Sequence, residues 1–102
     1  MNTAEKVNGS SVWIPSKNTV GCEVEGEMVL LDLQSGTYFG LNAVGAEIWN
    51  QLTRHKSFDE ILRYLLSRYR VSEERCEAEL RALLSNLSER GLVRSGNDET
   101  AA

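Results

Sequence analysis

The side chains able to do acid, base or nucleophilic chemistry in this sequence are few, and their spacing is wrong for it. The single histidine, His55, lies between Arg54 and Lys56 in a predicted loop between two helices. No nucleophile or carboxylate stands at a motif spacing from it, so it reads as a solvated loop residue rather than a general base. Two cysteines, Cys22 and Cys76, are far apart and form no Cys-x-x-Cys. Neither a metal site nor a disulfide framework is indicated, and both read as small buried hydrophobes in a reducing cytoplasm. Gly36, Gly40 and Gly45 build neither a GxGxxG fingerprint nor a P-loop, and turn, strand and helix-packing roles explain them better. Asp32 is the one carboxylate inside a β-prone run, and a hydrogen bond to the adjacent turn suits it better than acid/base work. These residues predict no catalytic group, no metal and no cofactor. Whatever chemistry the chain offers must come from its elements.

The strongest local signals fall between Met28 and Trp49. Met28 to Leu33 is an apolar, β-prone run, Gln34-Ser35-Gly36 supplies turn chemistry, and Thr37 to Leu41 is a second β-prone run, together a hairpin signature. Asn42 then suits a helix N-cap, and Val44, Ile48 and Leu52 recur every four residues on one helical face beside Trp49. A hairpin therefore runs directly into a helix. Upstream, Val20, Cys22 and Val24 alternate with Gly21, Glu23 and Glu25, the period of a strand with one wet face, and Glu25-Gly26 makes the next turn. The run from Met28 is apolar at both parities except at Asp32, as a middle strand requires. The expected sheet is a three-stranded antiparallel meander whose open edges lie near Val20–Val24 and Thr37–Leu41.

Two further helices follow. Ser57-Phe58-Asp59-Glu60 has the form of a capping box, and Phe58, Ile61, Leu62, Leu65, Leu66 and Tyr69 recur at spacings of three and four. Ser72 caps a third helix whose first turns carry Glu73, Glu74 and Glu77, whose apolar stripe is Cys76, Leu80, Leu83, Leu84 and Leu87, and which ends at Arg90-Gly91. Leu92-Val93 can fold back onto that helix end. Near the start, Val12-Trp13-Ile14, closed by Pro15, reads as a short edge strand or a flap over the core, with Trp13 either covering the core or touching a ligand. Met1 to Ser11 and Ser95 to Ala102 read as polar tails.

Composition narrows the function classes. With 102 residues the chain holds one small domain. A net charge of −4 and a pI near 5.0 argue against a nucleic-acid partner, and no apolar run approaches the roughly 18 to 20 residues of a membrane span. Three strands followed by three helices also suit a DNA-binding winged helix. Against that, Ser72 to Arg90 carries Glu73, Glu74, Glu77, Glu79 and Glu89 against Arg75, Arg81 and Arg90, and its first turns would repel phosphate. An exposed sheet edge offers unpaired N–H and C=O groups to which an extended peptide can add as a further strand. Tyr38 and Phe39 point to opposite faces of that edge strand, so either one packs in the core while the other meets a peptide, or both serve only as core aromatics. A purely structural domain that dimerises through the same edge is the other class left open.

The residues also resemble a known family. Leu31-Asp32-Leu33, Tyr38-Phe39-Gly40-Leu41-Asn42, Gly45 with Ile48-Trp49, and Arg90-Gly91-Leu92-Val93, in that order and spacing, resemble the PqqD-like family of RiPP recognition elements, small winged-helix-type domains. (RiPPs are ribosomally made, post-translationally modified peptides.) The resemblance implies an α+β, winged helix-turn-helix-like domain with a three-stranded antiparallel sheet followed by three helices. It implies a non-enzymatic protein without cofactor or metal that binds the leader segment of a precursor peptide and presents it to modifying enzymes. The leader would add antiparallel to the third strand and lie between it and the third helix. Carried over by position, the main-chain contacts fall at Thr37, Tyr38, Phe39 and Gly40, with Leu41 closing the strand, and the helix-side contacts at Glu73, Cys76, Glu77, Leu80 and Leu84. The wording of the hairpin is more similar to the stand-alone proteins of lasso-peptide clusters, which serve a separate leader peptidase and cyclase, than to the member serving a radical S-adenosylmethionine enzyme in pyrroloquinoline quinone synthesis. The expected organisation is a tail and short edge segment over 1–18, a peptide-binding domain over 19–94 and a disordered tail over 95–102, in a cytoplasmic monomer or weak dimer with no nucleic-acid or membrane partner.

Overall fold

The computed structural model describes residues 9–96. The meander forms as the periodicity requires: β2 (Thr19–Val24), β3 (Glu27–Asp32) and β4 (Tyr38–Leu41) pair antiparallel in the order β2-β3-β4. The register places Leu30 between Gly21 and Phe39, and Met28 between Glu23 and Leu41. Glu25 and Gly26 both take positive φ in the first hairpin turn, and Gly36 does so in the second. Asp32 serves that second turn, its carboxylate accepting from the Gln34 N–H at 3.0 Å and from the Ser35 hydroxyl at 2.9 Å.

Three helices follow, α1 (Ala43–Thr53), α2 (Phe58–Arg68) and α3 (Glu73–Glu89). Each begins where the sequence predicts a cap. The Asn42 side chain accepts from the Gly45 N–H, Ser57 and Glu60 complete a reciprocal capping box, and Ser72 accepts from the Arg75 N–H. At the end of α3, Gly91 has φ 73°. Leu92 N–H returns to the Leu87 carbonyl at 2.9 Å and Gly91 N–H to Ser88 at 3.0 Å, the two bonds of a Schellman motif. Leu92 is thereby folded into the core.

The helices cover one face of the sheet. Leu30 and Leu41 from that face join Ile48, Trp49, Leu52, Phe58, Ile61, Leu65, Leu80, Leu84 and Leu87 in one buried cluster. Two expectations about β2 and its surroundings are corrected here. The apolar parity of β2 faces solvent: Val20 is 38 % and Val24 51 % exposed, and Cys22 is exposed rather than buried. The inward position belongs to Gly21, where an added Cβ would come within 2.8 Å of the Trp49 indole nitrogen. Only glycine lets Trp49 seat against the strand, and that contact decides the parity. Cys76 is buried, as expected.

The segment Val12–Ile14 is not an edge of the meander. β1 (Trp13–Pro15) pairs antiparallel with β5 (Val93–Ser95) in a separate two-stranded sheet, so Leu92-Val93 leads into a strand instead of only closing the helix. The same N-terminal segment supplies the start of α2 with acceptors: Ser11 and Gly9 carbonyls take the Phe58 and Asp59 N–H groups at 2.8 and 3.1 Å. Ser95, in the stretch expected as a polar tail, lies within β5, and the Gly96 N–H donates to the Val12 carbonyl at 2.7 Å. Residues 1–8 and 97–102 of the expected tails lie outside the described range.

Candidate functional site

Among the described residues, no strand lies beside the outer edge of β4. The Thr37 carbonyl accepts from the Asp32 N–H at 2.9 Å, so Thr37 turns inward toward β3. Because bonded and non-bonded pairs alternate along an antiparallel ladder, Phe39 and Leu41 also bond to β3, whereas Tyr38 and Gly40 turn their N–H and C=O groups to the open edge. The side chains alternate in the other sense. Phe39 packs inward on the core under the Arg90 guanidinium, 5.0 Å from the ring centre, and Tyr38 is 71 % exposed on the outer face.

Beside this edge lies a groove of about 770 Å³. Its strand side is Phe39, Gly40 and Leu41; its floor is Asn42, Val44, Gly45 and Ile48 at the start of α1. Gly45 is buried there, and a Cβ added to it would press on the Leu41 side chain at 3.1 Å. Leu65 and Tyr69 from the end of α2, then Arg70, Val71 and Ser72 of the linker, make one wall. The opposite wall is the α3 stripe Arg75, Cys76, Glu79, Leu80 and Leu83. Arg75 and Glu79 pair across one turn at 3.1 Å on its exposed rim. Burial, with the Glu79 charge added to it, pushes the Cys76 thiol up, so it remains a protonated, weakly polar group of this wall rather than a nucleophile.

Of the residues expected from sequence, Phe39, Gly40, Leu41, Cys76 and Leu80 come together around this groove. Tyr38 stands at the same edge but on the outer face. Thr37 is exposed in the turn, its N–H held by the Ser35 hydroxyl at 3.2 Å. Glu73 is exposed in the first turn of α3, Glu77 pairs with Arg81 at 2.9 Å, and Leu84 is 2 % exposed in the core, so these three lie outside the lining. The difference is one of helical phase. The lining stripe 72, 75/76, 79/80, 83 is offset from 73, 77, 84, and a helix rich in leucine on adjacent faces does not reveal which one meets the groove. Sequence reasoning missed Val44 and the Tyr69–Ser72 linker. An aromatic and an aliphatic residue in so short a linker was the available signal.

Behind the linker wall sits a polar cluster. The Glu47 carboxylate of α1 accepts from the Tyr64 hydroxyl at 2.8 Å, from the Tyr69 hydroxyl, and from the Arg68 guanidinium at 2.7 Å. The hydrogen bonds from Tyr69 and then Tyr64, with the Arg68 charge, hold the Glu47 carboxyl below the usual carboxylate range. The same bonds hold both phenols protonated, above the usual range.

A free strand edge beside an apolar groove, in a small α+β domain, is the build of a protein that takes up an extended chain. Residues 27–93 match the family model described as coenzyme PQQ synthesis protein D (PqqD). That match spans more than half of the sequence, and the chain belongs to the PqqD family, as its motifs implied. The fold is similar to that of TbiB1 solved in complex with the TbiA(beta) leader peptide: 38% identity, 79% of this chain and 94% of that chain covered, TM-score 0.75. It is also similar to lasso peptide synthetase B1 complexed with the leader peptide, at 29% identity, 80% and 96% coverage, and TM-score 0.75. No curated protein matches the sequence significantly.

Proposed function

We propose that this protein binds the leader region of a ribosomally made precursor peptide and delivers it to modifying enzymes, a leader peptidase and a cyclase of lasso-peptide biosynthesis, without catalysing a step itself. The observation that carries this reading is the pair of outward main-chain groups at Tyr38 and Gly40 beside the apolar groove. A leader laid antiparallel on β4 exchanges ladder bonds with those two residues. Every second side chain of the leader then falls toward the groove floor formed by Val44, Gly45 and Ile48. Two or three apolar anchors there suffice for micromolar affinity, about −8 kcal/mol. The domain is read as winged helix-turn-helix-like with a peptide in place of nucleic acid, since α3 opens with Glu73 and Glu74. It is expected to work in the cytoplasm, where precursor peptides are made.

The PqqD family match favours a second reading, a peptide chaperone for a radical S-adenosylmethionine enzyme in pyrroloquinoline quinone or related maturation. Both readings share the leader-binding step. A nitrogen-15 NMR titration with the leader half of the precursor encoded beside this chain, and a scrambled leader as control, tests that step. Shifts gathered on residues 37–41 and on the Arg75–Glu79–Leu83 side of α3 are expected. No shifts at millimolar peptide in a folded sample would overturn it. Pull-down of peptidase or of radical enzyme by the loaded complex then separates the two readings.

A further inference from the structure

One wall of the groove is built on irregular backbone. α2 ends at Arg68, and Tyr69 has already left the helix, with φ −124° and ψ 146°. From Tyr69 to Ser72 the chain crosses to α3 outside any helix or strand. Its ends are held to the flanking helices by main-chain bonds, Tyr69 N–H to the Leu65 carbonyl at 2.9 Å and Cys76 N–H to the Ser72 carbonyl at 3.0 Å, and the Tyr69 side chain is tied in addition by its hydroxyl to Glu47 of α1. Tyr69 lines the groove; Glu47, Tyr64 and Arg68, which complete the cluster, do not. Meanwhile α1 supplies the groove floor through Val44, Gly45 and Ile48. The helix that makes the floor is therefore also the post to which the wall is tied.

A carboxylate suits this post because it accepts only, with two oxygens for the three donors that converge on it. A glutamine in its place would offer one of them an N–H. We infer that Glu47 is a positioning residue for leader binding: through the Tyr69 hydroxyl it holds the Tyr69–Ser72 wall at the distance from β4 that an added peptide strand requires. The inference rests on the leader-binding reading. It assigns to Tyr69 the ring that the leader touches and to Glu47 a role without contact to the peptide.

The test uses the full chain, the same leader peptide with its scrambled control, and four variants: Glu47→Gln, Tyr69→Phe, Tyr64→Phe and the double variant Glu47→Gln/Tyr69→Phe. Glu47→Gln and Tyr69→Phe should each weaken leader binding about tenfold, the order expected for loss of one charge-assisted hydrogen bond. Tyr64→Phe, which removes a bond to the same carboxylate but lies outside the groove, should stay within about twofold. The double variant should be no weaker than Tyr69→Phe alone, because Glu47 acts through Tyr69. In the peptide-free protein, amide shifts of residues 69–72 should move in Glu47→Gln and Tyr69→Phe and stay in place in Tyr64→Phe. Equal losses in all three single variants, or additive losses in the double variant, would overturn the inference in favour of general α1–α2 stabilisation. If the unaltered chain ignores the leader, the proposed function falls. The peptide-free shifts then decide the tether, unmoved amides at 69–72 overturning it.

Discussion

Tyr38 and Phe39 are neighbours whose main chains face opposite ways, and this makes proline a directional probe. Tyr38→Pro removes an N–H from the open edge, where a sheet tolerates proline, and should leave the fold intact while weakening leader binding by about 1 kcal/mol or more. Phe39→Pro removes a bond to β3 and should unfold the hairpin. Titration and circular dichroism of both variants check this; full leader affinity in a folded Tyr38→Pro would count against strand addition. Glu47 gives a prediction in pH. Its carboxyl is held below the ordinary range by Tyr69, Tyr64 and Arg68, while Arg54 reaches Tyr64 through space. The unfolded chain lacks these partners and binds its proton first as the pH falls. The contribution of Glu47 to stability is thus fully present above the ordinary carboxylate value and is lost as the pH falls through the folded one. Glu60 of the capping box shifts the same way through its bond from the Ser57 N–H, so the comparison must be differential. Thermal unfolding of the unaltered chain and of Glu47→Gln should show a gap at neutral pH that narrows in acid.

Among the elements, α3 carries the most testable boundaries. Ser72→Ala removes the cap at the end of the helix that meets the groove and should cost about 1 kcal/mol. Because Ser72 also lines the groove, leader affinity should fall as well. Gly91→Ala, at φ 73°, should cost a similar amount, about 1 kcal/mol, with affinity unchanged in the folded fraction. Denaturant unfolding together with leader titration separates the two. The caps, turns and element order were legible because each depends on local chemistry: Asn42, Ser57 and Ser72 announce helix starts, and Glu25-Gly26 and Gly36 announce turns. The phase of α3 was not. Leu80, Leu83, Leu84 and Leu87 are apolar on adjacent faces, and only packing on α2 and the sheet places Leu84 in the core and Leu83 in the groove.

At the scale of the whole molecule, the N-terminal segment closes the structure. β1 pairs with β5, Ile14 is buried, and the carbonyls of Ser11 and Gly9 serve the start of α2. A version beginning at residue 19 should lose about 2 kcal/mol or more through those bonds and the exposed apolar surface, measurable as a lowered melting temperature. Retained stability would assign that segment no structural part. The sequence by itself determined the meander, the three capped helices, the open β4 edge and the family, because periodicity, capping and turn chemistry are written in neighbouring residues. Tertiary structure alone decided the solvent-facing parity of β2, the β1–β5 pairing and the Glu47–Tyr69 tether. Each of these joins residues remote in sequence, and such contacts are settled by which side chains the packed core brings within reach, as Trp49 does when it claims the space above Gly21.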